Sequence, residues 1–356
     1  MTTTVPSLAG ILSGSQAIAR VGMASCAGVT AALTYLYERS VSHGSREKAK
    51  GNGDHQVIVV SNREPCIHDF TPEGHVRVRR PAGGVITALE PIVEACSGLW
   101  VAHGSGTADR FVTDANGHVL VSRDAGAYQL RRVWLSPEEE RGYYDGFANE
   151  GLWPLCHMAF AAPIFRRSDW AAYERVNRRF ADAIAEEIRT PRPIVLVQDY
   201  HFALVPQFLR QRRPDAITVT FWHIPWPTPK QFSVCPYARQ ILNGLLGSNV
   251  LGFQTRTHRD CFLGAVEALA PGAHRRANRI RLNGHLTEVR TYPISIEWPN
   301  RWVDAAPTVE TCRRLVCDEF DLDPSVPIVV SVDRLDYSKG FDERLAAIER
   351  LLEAGA

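Results

Sequence analysis

Several short stretches of this 356-residue chain place charge-handling side chains just after a β-like run. "SNREP" follows "QVIVV" and offers Ser61, Asn62 and Arg63. Arg63 presents a planar fork of N–H donors that suits a phosphate, and position alone fits a surface ion pair equally well. "QDYHF" follows "IVLV" and carries Asp199 and His201; "HIPWP" follows "ITVTFW" and carries His223, locked by Pro225 and Pro227 just after it. One aspartate and two histidines at the ends of adjacent strands are not at metal-ligand spacing. They point to acid/base work or to hydroxyl recognition. "VDRLDYSKG" follows "PIVVS" and puts Arg334 and Lys339 in a turn that opens a helix. Two cations there would neutralise a diphosphate, and an ordinary basic turn balanced by Asp333 and Asp336 explains them as well.

Two further stretches add binding character. In "RRPAGGVITALEPIVEA", Gly83 and Gly84 precede a helical pattern, so backbone amides and a missing Cβ would let an anion approach. By itself a Gly-Gly turn before a helix is more often only a turn. "YYDGFANEGLWPLCH", with Tyr144 and Trp153, is dense in aromatics with polar tips, which suits a sugar as well as a core turn. "HGSGTAD" is glycine-rich but follows no strand-to-helix pattern of a dinucleotide site. No G-x-S-x-G elbow is present, and no cysteine stands in a nucleophile context.

The elements that must position these residues are legible in outline. Short β-branched runs at 56–61, 194–198, 217–222, 249–253 and 328–332 read as buried strands. Helical patterns separate several of them. The clearest spans "SDWAAYERVNRRFADAIAEEIR", where Trp170, Tyr173, Val176, Phe180, Ile184 and Ile188 recur every three or four residues and Ser168 is placed to cap the start. Strands alternating with helices predict an α/β fold with a mainly parallel sheet. Ligands of such sheets bind beyond the carboxyl ends of the strands, where all four of the first stretches fall.

Composition narrows the partners. Apolar residues make up 45%, enough for a sizeable core, and a net charge of +1 gives no general reason to bind nucleic acid or an anionic membrane. The eight cysteines are scattered without C-x-x-C spacing, as expected of reduced core thiols in a cytoplasmic protein. Residues 7–38 are rich in Ala, Gly and Ser, with no basic start of a signal peptide and only a weakly apolar run after Arg20. We read 1–54 as a mobile tail and linker, 55–300 as the first α/β domain, and 301–356 as the beginning of a second.

Taken together and in order, "VVSNR", "AGG", "YY.GF.N..LWP..H", "QDYHF", "HIPWP", "GLLGSNVLGFQT" and "VDRLDYSKG" resemble the trehalose-6-phosphate synthase family, retaining glycosyltransferases of family GT20. The resemblance runs from about Val57 to the last residue. It implies the GT-B arrangement, with a Rossmann-like N-terminal domain and the beginning of a second Rossmann-like domain. It implies transfer of glucose from a nucleotide sugar to the anomeric hydroxyl of glucose 6-phosphate, with retention and without a metal or other cofactor. By resemblance, Arg63 would hold the acceptor phosphate, Tyr144 and Trp153 would line the acceptor site, and Asp199 would bind acceptor hydroxyls. Gly83 and Gly84 would lie against the donor diphosphate. His223 would contact the donor sugar, and Arg334 and Lys339 would hold and stabilise the leaving diphosphate. Asp199, His223, Arg334 and Lys339 would thus form the catalytic set. A homo-oligomer is compatible with all of this.

Three features depart from the family pattern. A tryptophan-rich stretch is replaced by "LWVAHGSGTADR", which leaves Trp100 or His103 to fill that place and keeps acceptors such as glycerol 3-phosphate or a cyclitol phosphate open. The first 50 or so residues lie outside the resemblance. The donor domain is expected to be incomplete, with one strand and one helix after its start, which keeps a non-catalytic sugar-phosphate-binding fragment open as an alternative.

Overall fold

The structure is a computed structural model that describes residues 56–81, 83–123, 126–159, 161–294, 306–333 and 339–355. The expected tail and linker at 1–54, and Arg334, lie outside these residues. The chain divides into two compact units, Met1–Ile296 and Glu297–Ala356.

The first unit is built on a ten-stranded sheet in the order β10-β11-β12-β9-β8-β7-β1-β4-β6-β5. Its centre consists of β1 (Val57–Ser61), β4 (Leu99–His103), β7 (Ile194–Gln198), β8 (Ile217–Trp222) and β9 (Val250–Phe253), all parallel. β6 (Gly126–Val133) and β12 (His285–Thr291) extend the parallel part on either side. Antiparallel partners close both edges: β5 (His118–Arg123) beside β6, and β11 (Arg279–Leu282) and β10 (His274–Arg276) beside β12. A separate hairpin is formed by β2 (Ile67–Phe70) and β3 (Val76–Arg79).

The central strands are continuous apolar runs because both faces are covered. Every residue of β1, β7 and β8 is buried. Alternation then sorts them: Ile58, Val60, Val195 and Val197 join the larger core, and Val57, Val59, Ile194 and Leu196 the smaller core on the other face.

The longer helices are α1 (Gly84–Ala95), α2 (Arg167–Glu187), α3 (Val205–Arg212), α4 (Ala238–Leu245) and α5 (Arg256–Leu269). The aromatic stripe of α2 is buried as its spacing predicts, with Tyr173 against Phe147 at 4.6 Å and Trp170 stacked on Tyr237 at 4.2 Å. Ser168 does not cap it. The cap position is Arg166, and the Ser168 hydroxyl, already inside the first turn, donates to Asp169 Oδ1 at 3.2 Å. Asp169 supplies the negative charge that the start of a helix favours, and Arg166 pairs with it at 3.0 Å.

Strand order reverses at the centre. From β1 the chain moves outward one way through β4 and β6, and from β7 the other way through β8, β9 and β12. The crevice between the carboxyl ends of β1 and β7 is therefore the topological switch point.

The second unit contains α6 (Val309–Phe320) and α7 (Phe341–Glu353). The strand expected at 328–332 is not formed. A strand exists as part of a ladder, and no described residue of this unit provides a partner; Val329, Val330 and Val332 are 88%, 74% and 89% exposed.

Candidate active site

The loop after β1 carries Asn62, Arg63 and Glu64. Asn62 is fixed from above by Tyr143, whose hydroxyl donates to its Oδ1 at 3.0 Å. Tyr143 and Tyr144 belong to a wide π-type helical segment, Arg141–Leu152, which packs against α2. Such segments are rare and occur at functional sites because they shift side chains out of α-helical register. Here Tyr143 turns into the core while Tyr144 stacks on His201 at 5.5 Å and 13°.

A cavity of about 350 Å³ opens in front of this loop, lined by Asn62, Arg63, Glu64, His103, Tyr143 and Tyr144 among others. Arg63 is exposed and pairs with no carboxylate among the described residues. That separates it from an ordinary surface ion pair. His103 ends β4 and is 8% exposed. Its Nδ1 donates to the Val133 carbonyl at 3.2 Å, so in the neutral ring Nε2 is the bare acceptor. That Nε2 has no hydrogen-bond partner among the described residues and stands 3.7 Å from Glu140 Oε1. Trp100 is fully buried beneath, with its indole N–H donating to Ser61 Oγ at 2.8 Å, and does not line the cavity. Of the two residues offered for the missing tryptophan's place, His103 is the one that lines the cavity.

Behind Glu64 lies a charge network that no local sequence pattern announces. Arg132, with a fully buried side chain, donates Nε to Glu64 Oε2 at 2.7 Å and pairs with Asp109 Oδ1 at 2.7 Å. Glu64 Oε1 accepts from the Ser105 amide at 2.8 Å and its hydroxyl at 3.0 Å. Burial, helped by a hydrogen bond shared with Asp109, pushes the Glu64 carboxyl up to about 7. Burial opposes ionisation of Asp109 too, but Glu64 and the amides of His68 and Gly106 hold its carboxyl below the usual range. One proton on Glu64 thus balances two acids against one arginine.

At the end of β7, Asp199 adopts φ 72°, ψ 176°, a backbone region that residues with a Cβ avoid. The conformation aims its Oδ1 at two backbone amides, Tyr200 at 2.9 Å and His223 at 3.1 Å. His223, at the end of β8, donates Nε2–H to Gln198 Oε1 at 3.0 Å and packs on Phe221 at 4.5 Å. Burial lowers its pKa, against the pull of Asp199. Burial also lowers His201, to about 4, with repulsion from Arg63 set against the pull of Asp199. Both rings are neutral near pH 7, fit to exchange hydrogen bonds with hydroxyls rather than to carry charge.

A scan for family patterns matches residues 55–356 to the description "Glycosyltransferase family 20". The chain belongs to glycosyltransferase family 20. It is 35% identical over 321 residues to the trehalose-6-phosphate synthase of Mycolicibacterium paratuberculosis, covering 88% of this chain and 64% of that one. Its fold is similar to an E. coli trehalose-6-phosphate structure bound with UDP-2-fluoro glucose (TM-score 0.67, 30% identity, 84% of this chain and 61% of that one). It is also similar to an alpha,alpha-trehalose-phosphate synthase from Burkholderia xenovorans in complex with glucose-6-phosphate (TM-score 0.66, 26% identity, 84% and 62%). The chain therefore spans a little under two thirds of the length of these relatives.

For this family member, the structure brings several of the sequence-selected residues to one edge of the sheet. Arg63 and Tyr144 share the cavity. Asp199 and His223 are joined by a hydrogen bond next to it in strand order. Trp153 does not line that cavity; it packs on His157 at 3.9 Å and on Tyr200 at 5.9 Å. Gly83 caps α1 and Gly84 begins it, and a Cβ on Gly84 would meet no protein atom within 4 Å. Lys339 is exposed in the second unit, with its carbonyl accepting from Arg344. Among the described residues no three metal-ligating side chains converge, and no helix is long and apolar enough to cross a membrane. The seven cysteines described are all free.

Proposed function

We propose that this chain supplies the acceptor half of a retaining glucosyltransferase. It would move glucose from a nucleotide sugar such as UDP-glucose to glucose 6-phosphate, giving trehalose 6-phosphate. The observation that carries this is Arg63: a guanidinium that meets no carboxylate among the described residues, beside a sugar-sized cavity at the switch point of the sheet. The relatives named as trehalose-6-phosphate synthases, two of them holding a nucleotide-sugar analogue and glucose-6-phosphate, support the same reading.

In this account Arg63 grips the acceptor phosphate in a bidentate pair. Tyr144 offers an apolar face to the sugar, with Trp153 behind it supporting Tyr200, and Asp199 takes its hydroxyls. His223 holds the donor sugar, and the open space at Gly83 and Gly84 admits the donor diphosphate. The bond from the donor's anomeric carbon to the diphosphate oxygen breaks, and a bond to the acceptor's anomeric oxygen forms on the same face. The acceptor proton passes to the leaving diphosphate. Arg334 and Lys339 neutralise that charge, which makes a metal unnecessary.

His103 favours a second reading. A bare Nε2 in the cavity wall asks for a hydroxyl donor at a place where the family offers tryptophan, so a different phosphorylated polyol fits as acceptor.

The test is titration of the 356-residue chain with UDP-, GDP- and ADP-glucose, each with and without glucose 6-phosphate, followed by product analysis. Saturable glucose 6-phosphate binding is expected, with a phosphorylated disaccharide as product wherever a nucleotide sugar also binds. Binding of glycerol 3-phosphate in preference would select the second reading. No binding of any phosphorylated polyol would overturn both.

A further inference from the structure

A second cavity, about 890 Å³, lies at the far end of the same carboxyl edge and shares no lining residue with the one around Arg63. Four strand spacings separate β1 from β12, roughly 19 Å at ~4.8 Å each. Its wall draws Arg256 and Arg259 from α5, Arg276 and Arg279 from the β10–β11 hairpin, and Arg290 from β12, against one carboxylate, Glu288.

Among the described residues, few carboxylates answer these charges. Glu288 is shared by Arg279 at 2.7 Å and Arg290 at 2.8 Å. Burial opposes its ionisation, but the two guanidinium groups hold its carboxyl below the usual range, so its single charge is already committed. Arg259 pairs with its neighbour Asp260 at 2.8 Å. Arg256 and Arg276, both exposed, meet no carboxylate among the described residues. A chain whose net charge is only +1 has thus gathered five arginines around one space.

Folding does not account for the arrangement. Arg256 and Arg259 occupy the first turn of α5, which has no acidic residue. Cations at that end oppose the helix dipole and are mildly destabilising. Thr255 caps the helix by accepting from the His258 amide at 3.2 Å, so the arginines are not needed for capping. An anion in the cavity would answer the misplaced cations.

We propose that this cavity is a binding site for a small molecule carrying two or more phosphate groups. Guanidinium forks on three elements can engage separate phosphates in bidentate pairs, which a single monovalent ion cannot satisfy. The volume lies in the range of small-ligand pockets and exceeds what one phosphate fills.

The test is calorimetric and ³¹P NMR titration of the full 356-residue chain with pyrophosphate at physiological ionic strength. Wild type, Arg256→Ala/Arg276→Ala and Arg63→Ala are compared. Both substituted arginines of the double variant are exposed, and an unchanged thermal midpoint would confirm that it folds. Saturable binding is expected, weakened roughly tenfold or more in the double variant, since each lost charge-assisted bond is large on that scale, and unchanged in Arg63→Ala. Absence of saturable binding overturns the proposal. So does binding that survives in the double variant, or that is lost in Arg63→Ala instead. Equal binding of a single-stranded oligonucleotide would also overturn it, by showing a general basic surface. None of these outcomes depends on whether glucose 6-phosphate binds.

Discussion

Asp199 ties His223 to the end of the neighbouring strand: its Oδ1 accepts the His223 backbone N–H at 3.1 Å, and it reaches that amide only by holding a left-handed φ of 72°. Strain of this kind costs about 1–3 kcal/mol and persists where the surroundings enforce it. The carboxylate offsets it with two amide hydrogen bonds that would otherwise go unmade.

That relationship distinguishes two substitutions. Asp199→Ala keeps the strain and loses the bonds. Asp199→Gly loses the bonds but relieves the strain. In urea denaturation Asp199→Gly should be the more stable of the two by about 1 kcal/mol, even though glycine raises the entropy of the unfolded chain. A more stable Asp199→Ala would mean that the backbone is not strained there.

The buried acid pair makes a pH prediction. The Glu64 carboxyl titrates at about 7 in the folded protein against an ordinary 4.5. A pKa raised by folding means that the proton is held more tightly in the native state. The contribution is present in full below pH 4.5 and is lost as pH rises through 7. Glu64→Gln cannot titrate. The stability of wild type relative to Glu64→Gln should therefore fall by about 2–3 kcal/mol between pH 4.5 and 8. A difference that stays constant across that window would remove the shared proton from the account.

Two glycines separate packing from ligand approach. A Cβ on Gly106 would lie 2.3 Å from the His68 carbonyl oxygen, whereas one on Gly84 would meet nothing within 4 Å. Gly106→Ala should destabilise by about 2 kcal/mol or more. Gly84→Ala, at the start of α1, should be neutral or slightly stabilising. If Gly84 faces the donor diphosphate, Gly84→Ala should also abolish the thermal shift that nucleotide sugar produces. A Gly84→Ala protein that binds nucleotide sugar normally would leave that glycine as a helix start and nothing more.

The parts of the fold that could be read from sequence are those where one physical demand dominates. Fully buried parallel strands must be apolar throughout, so "IVLVQ" and "ITVTFW" are found with the ends expected of them. The stripe of α2 is equally plain, but its start is not, because a serine inside the first turn resembles a cap until Asp169 claims its hydroxyl. "IVVSV" has the same composition as a strand and lacks a ladder partner among the described residues, which is a property of its neighbours and not of the run. In the site, charged residues at strand ends could be selected from their positions. The partners that give them character could not. Arg132 reaches Glu64 across 68 residues, and the tautomer of His103 is set by a carbonyl 30 residues away.

The central claim is that Arg63 holds the phosphate of a sugar-phosphate acceptor. Calorimetric titration of wild type and Arg63→Ala with glucose 6-phosphate and with glucose tests it most directly. The account predicts that Arg63→Ala weakens glucose 6-phosphate binding roughly tenfold to a hundredfold, the scale of one charged hydrogen-bond pair, and leaves glucose binding within about twofold. Equal weakening of both ligands, or none of either, would contradict it.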